Sequence, residues 1–205
     1  MKRTLLTSLL ALAGAVSLTA APISFDFKDP KGVNAIQFHL DSLLEPISGT
    51  AGGVTGTVNF DEANPGATTG TIVVTASSLT VSNATMTEHL HSPMWLDVAA
   101  HPEIKFEVAS LSDVKTAGNE TTAIAHGKFT LKGVTKDIAV PVRLTYLADA
   151  LERRTRPGNK GDPLVIRGEF TINRGDYGIQ PGKNEDKVNP EVKLNLGIVG
   201  SAPKA

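Results

Sequence analysis

The sequence predicts an all-β fold: an antiparallel arrangement of about eight strands with one short helix. Three observations lead there. Apolar side chains recur at every second position over much of the chain, and runs rich in Gly, Asn, Asp and Pro interrupt them at short intervals. The connections so defined are too short for the crossovers of about a dozen residues or more that parallel neighbours need. The third is how rarely helical spacing appears.

Taken in order, Lys2 and Arg3 precede an almost wholly apolar or small run from Leu5 to Leu18 that ends at Ala20, the pattern of a cleaved secretory signal. Residues 1–20 are therefore read as a signal peptide and 21–205 as one domain, exported to the periplasm or secreted. The run is short for a membrane span, so no transmembrane anchor is expected after signal removal. Strand candidates follow at Ile23 to Phe27, at Ile36, Phe38 and Leu40, at Val54, Gly56, Val58 and Phe60, and at Ile72 and Val74. The helix fits only from Asn83 to Leu90, with Asn83 as cap and Pro93 as terminator. Beyond it come Ile104, Phe106 and Val108, then Gly127, Phe129 and Leu131.

The cleanest alternation lies in the last third. Ile138, Val140, Val142, Leu144 and Tyr146 share one strand face, as do Leu164, Ile166, Gly168, Phe170 and Ile172, and then Val192, Leu194, Leu196 and Ile198. Asp61–Gly66, Ala117–Asn119 and Lys132–Lys136 carry turn chemistry. Pro141 requires an edge or an irregularity beside it, because it brings no N–H to a ladder. Such strands close as a barrel or stack as a sandwich, and the pattern does not choose.

Composition narrows the function. The 205 residues include no cysteine, which excludes disulfides, thiolate metal sites and cysteine nucleophiles. With 20 basic and 21 acidic side chains the net charge is −1, or −3 without Lys2 and Arg3. A nucleic-acid partner would call for a basic field, so none is expected. Arg153, Arg154 and Arg156 fall among Gly, Glu and Asp and read as a solvated loop.

His89 and His91, with Asp97 and His101 nearby, are the candidates for metal chemistry. On a helix an i, i+2 pair diverges by about 200°, and no HExxH set, Gly-Xaa-Ser-Xaa-Gly elbow or phosphate loop is present. The reading is therefore not an enzyme, with no cofactor and no bound metal; the histidines would fasten a loop to the sheet.

Three blocks carry a resemblance. His89-Leu-His-Ser92 with Trp95-Leu-Asp97 and His101-Pro-Glu-Ile-Lys-Phe106, then Gly127–Lys136, then Phe170–Ile179, look like the signatures of the YceI-like family in family order. The resemblance implies an elongated, lipocalin-like antiparallel barrel whose interior binds a polyisoprenoid or similar long-chain amphiphile without chemistry on it. The alternative is a general amphiphile-binding or protein-binding envelope or stress module, with a His-dependent metalloenzyme as the less favoured reading. An eight-stranded barrel is wide enough to be filled by side chains or to hold one small ligand. From the alternation, Phe38, Phe60, Trp95, Ile104, Phe106, Phe129, Tyr146, Phe170 and Tyr177 are the bulky side chains expected to face inward or close an end, as core or as ligand contacts. Gly56, Gly127, Gly168 and Gly197 either leave room or mark bulges. The helix and the loop from Leu147 to Pro163 are the expected movable parts.

Overall fold

The computed structural model describes residues 21–204; the signal-peptide reading falls on residues 1–20, outside them. Eleven strands and two helices succeed one another: β1 (Ile23–Asp26), β2 (Ala35–Asp41), β3 (Pro46–Ala51), β4 (Val54–Phe60), β5 (Thr69–Thr75), β6 (Thr80–Val81), α1 (Ala84–His91), β7 (Glu103–Ala117), β8 (Glu120–Leu131), β9 (Val134–Tyr146), α2 (Leu151–Arg154), β10 (Gly161–Asn173) and β11 (Glu191–Pro203). All pairings are antiparallel, and β1 meets β11 at Asp26 and Ser201, which closes the sheet.

The eleven segments make eight staves, because the first three staves are each broken in two. β1 and β2 both lie beside β11, β4 pairs with β1 and β5, and β3 pairs with β2 and β6. The breaks fall at residues 27–34, at Gly52 and Gly53, and at a 3-10 turn, Ala76–Ser78. Across the first break the side-chain amide of Asn34 stands in for a strand. It accepts from the Val199 N–H at 3.0 Å and donates to the Val199 carbonyl at 3.2 Å, so the β11 backbone stays satisfied. Just past the second break Gly56 has φ +128°, and a Cβ there would lie 2.0 Å from the Thr71 carbonyl oxygen. Only glycine fits that bend.

The remaining staves are long and continuous. β8 and β9 form a hairpin through Lys132 and Gly133, both at positive φ, the geometry that matches strand twist. β10 and β11 pair along their whole length, from Gly161–Pro203 to Asn173–Glu191. β9 pairs with β10 only from Val142 to Tyr146, so Pro141 sits where that ladder stops and its missing donor costs nothing on that side. Beyond that point the strands part. The 3-10 turn Arg174–Tyr177 folds back here, with Tyr177 buried edge-on against Phe129 at 5.6 Å and Asp176 facing Lys136 at 3.6 Å.

α1 follows the sequence closely. Asn83 caps it by accepting from the Met86 N–H at 3.0 Å, and Ser92 ends it just before Pro93. The arginine-bearing segment keeps Arg153 and Arg156 exposed, as the solvated-loop reading expects, but it is also anchored to the barrel. It holds α2, whose Leu151 is buried, and it is tied down by Arg154, 3.7 Å from Asp29.

Candidate functional site

The barrel is plugged at one end and hollow at the other. The plugged end, where α2 lies, is filled by Phe25, Phe27, Phe60 and Leu164, all essentially inaccessible, with Ile198 between it and the cavity. Phe27 occupies the space a side chain at position 200 would need, since a Cβ on Gly200 would lie 2.5 Å from its ring. The hollow end, where α1 lies, contains a cavity of about 530 Å³. Its wall is the inward set of the alternation, for instance Ile36, Phe38 and Leu40 on β2 and Val192, Leu194 and Leu196 on β11. The period-2 pattern therefore acts directly as site chemistry: every second residue removes water from the interior.

Polar groups reach the cavity mainly around its mouth, as Glu45, His89, Arg174, Asn184 and Lys187. Four connections converge there: the β2–β3 turn, α1 with the segment after it, the β8–β9 turn and the long connection 174–190. Hydrogen bonds link them. Asn189 donates to the Asp41 carbonyl at 2.9 Å, Gln180 to the Met94 carbonyl at 3.3 Å, and the Lys132 ammonium to the Pro93 carbonyl at 3.1 Å.

Arg174 organises this rim. The residue is 2% exposed, and all its side-chain N–H groups are spent on backbone carbonyls: Asn189 at 3.2 Å, Ile179 at 2.8 Å, Gln180, Lys183 at 2.7 Å and Val188 at 2.8 Å. Its face lies 5.6 Å from the Trp95 ring centre. Burial lowers its pKa from the usual arginine value, with Glu185 acting the other way. No carboxylate touches it among the described residues, so its positive charge is satisfied by dipoles and is not neutralised.

A second buried charge sits at the plugged end. Asp162, 1% exposed, accepts from the Tyr146 hydroxyl at 2.8 Å, the Asp149 N–H at 2.8 Å and the Lys204 ammonium at 2.7 Å. Burial pushes its carboxyl up, but these three donors offset that and hold it below the usual value. Burial and the same hydrogen bond push the Tyr146 phenol up to about 12. Lys204 is raised by its hydrogen bonds to Asp162 and Asp149.

Of the nine side chains singled out from the sequence, Phe38, Trp95, Ile104, Phe106, Phe129 and Phe170 line the cavity. Phe60 and Tyr146 lie in the plug, ring centres 6.2 Å apart, and Tyr177 stands in the split between β9 and β10. Gly197 faces open space. Cβ atoms on Gly127 and Gly168 would come within 2.2 Å of the Glu107 carbonyl and 3.1 Å of the Pro141 carbonyl, so backbone approach explains both.

The two histidines diverge on α1. His91 donates from Nε2 to the Leu79 carbonyl at 2.7 Å and fastens the helix to the barrel. His89 faces the cavity mouth. Among the described residues no three His, Cys, Asp or Glu side chains are grouped to hold a metal ion. Arg174 was missed. It lies in the third resembling block, yet nothing in a charged residue after an amphipathic strand signals that a later loop will wrap it.

The model of the YceI-like domain matches residues 23–199. A UPF0312 protein of Pseudomonas savastanoi pv. phaseolicola is 32% identical over 91% of this chain and 95% of its own. One from Pectobacterium atrosepticum is 30% identical over 84% and 88%. Among solved structures, Burkholderia cenocepacia BcnA superposes with a TM-score of 0.64 at 19% identity, covering 81% of this chain and 95% of its own. A polyisoprenoid binding domain from Saccharophagus degradans gives 0.63 at 11% identity, covering 89% and 99%. Both share the fold.

Proposed function

The chain belongs to the YceI-like family, a binding fold, and from that premise we propose that it sequesters or carries an isoprenoid-like amphiphilic lipid, tail inward, with no chemistry performed on it. The observation that carries this reading is the cavity itself: mostly apolar along its wall, blocked at the Phe25–Phe27 end, and most polar near its mouth. Such a blind tube suits a ligand with one apolar end and one polar end. A chain enters tail first, and its head stops among His89, Arg174 and Lys187.

Magnitudes support the tail. Burying one methylene contributes about 0.8 kcal/mol, so a five-carbon isoprene unit contributes up to roughly 4 kcal/mol before ordering costs. At about 530 Å³ the cavity falls within the range of roughly 300–1,000 Å³ typical of sites that hold one small ligand. At the mouth Glu45 stands with His89, Arg174 and Lys187, so the rim offers a polar head group partners of both signs. The leader-like start of the sequence supports action outside the cytoplasm, in the periplasm or beyond.

Native mass spectrometry of protein purified from its own envelope, followed by solvent extraction, tests this. The expected result is a stoichiometric apolar adduct of isoprenoid mass. Ligand-free protein that also refuses isoprenoid alcohols and quinones in vitro would refute it, and a fatty-acid adduct would replace the isoprenoid with a general amphiphile.

A further inference from the structure

Exposed apolar side chains are not spread evenly over this barrel. Five large ones stand out among the described residues: Val33, Leu43, Leu44, Met94 and Val134. Four of the five belong to the connections around the cavity mouth. Leu43 and Leu44 form the tip of the β2–β3 turn and are 84% and 64% exposed, and Met94, also 64% exposed, follows α1. Val134 begins β9 beside the Lys132–Gly133 turn. The hydrogen bonds from Asn189, Gln180 and Lys132 already described hold these tips in one rim. That rim is continuous with the cavity, because Glu45, next to Leu44, also lines it.

We propose that this end of the barrel docks on a zwitterionic lipid bilayer by inserting Leu43, Leu44 and Met94, so that the cavity mouth opens directly into the lipid. The proposal rests on the carrier reading and adds its donor or acceptor surface. Leucines at the tip of a turn project outward; they suit a soft apolar layer better than they would line a groove for a protein segment. The charges beside them match that layer. On these connections Lys132, Arg174, Lys183 and Lys187 stand among Glu45, Asp97, Asp176, Glu185 and Asp186, cations and anions intermixed, as in a head-group layer of phosphates and amines. Asp41 and Glu88, set further back, make the end slightly acidic, which argues against attraction to an anionic surface or a nucleic acid.

Flotation with phosphatidylethanolamine–phosphatidylcholine vesicles tests this on the whole exported chain. The parent protein should float, the bound fraction should be insensitive to salt, and added anionic lipid should not raise it. Leu43→Asp with Leu44→Asp should cut the bound fraction roughly tenfold or more, since both side chains lose their apolar surface. Neither leucine lines the cavity, so uptake of a soluble fluorescent isoprenoid analogue without vesicles should be unchanged in the variant. A parent that takes up the analogue but does not float overturns docking and leaves the carrier standing. A variant that floats as well as the parent overturns it too. Failure of uptake in the parent would instead strike the carrier reading. A dimer in sedimentation that the variant dissolves, with no flotation by the parent, would assign the leucines to a second copy and overturn the proposal.

Discussion

Asp162 at the plugged end and Arg174 at the hollow end are both almost fully buried charges, and they are satisfied in opposite ways. Asp162 meets a countercharge, Lys204, together with a hydroxyl and an N–H, and this closes the end. Arg174 meets only carbonyl oxygens drawn from one long connection, together with the face of Trp95. The first arrangement cancels a field where none is wanted. The second folds a loop without regular secondary structure into a firm rim and leaves a positive field beside the mouth. Packing repeats the contrast: the same alternation that fills the plug with Phe25 and Phe27 leaves space farther along between Phe38, Phe106 and Phe170.

The sharpest way to break the comparison is Arg174→Met. Several carbonyls lose their donor together, and we expect about 3–5 kcal/mol of lost stability, with faster hydrogen exchange concentrated in residues 179–189. Exchange rising equally at residues 149–162 would mean that the ends are not independent.

Leucine truncations probe packing. Leu164→Ala in the plug should cost about 3–4 kcal/mol, as for a fully packed site. Leu194→Ala on the cavity wall should cost about 1 kcal/mol in ligand-free protein, because its neighbours already lack partners on one side. Equal costs in urea unfolding would show the cavity to be filled.

A smaller effect is expected with pH, and it belongs to the plug. The Asp162 carboxyl is depressed, so its contribution is present above the unfolded value near 3.9 and is lost as pH falls through the folded one. Tyr146 and Lys204 are raised, so theirs is present below the unfolded values near 10 and is lost as pH rises, for Tyr146 through about 12. Urea midpoints of the parent should fall at both extremes, and Asp162→Asn should flatten the acid limb.

The smallest change in stability is expected for Trp95→Ala, which should cost less than about 1 kcal/mol yet speed release of a bound amphiphile several-fold in stopped flow. Equal release rates in variant and parent would remove Trp95 from the entrance.

Much of this molecule was legible in the sequence, and the reasons are local. Alternation along β9, β10 and β11 follows from pleating, Asn83 caps α1 by its own side chain, and Pro141 announced the end of a ladder. What alternation cannot show is position along the barrel axis. Phe60 and Phe38 read alike, yet one falls in the plug and the other on the cavity wall, because that depends on where Phe27 and Gly200 meet across the sheet. The broken staves were equally hidden, since Asn34 imitates a strand with a side chain. Arg174 and Asp162 carry residue types that normally mark solvent, and only the tertiary wrapping of residues 179–189 and Lys204 buries them.

The closure of the barrel also has a consequence in time. β11 lies between β10 on one side and β1 and β2 on the other, so the circle depends on the strand synthesised last among those described. Until it is released, β1, β2 and β10 present open edges that invite pairing with other chains, and the contacts that end this exposure span nearly the whole sequence, which makes them slow to form. A protein with such a topology has its period of greatest vulnerability just before completion, and a chaperone that holds open strand edges would find its client then.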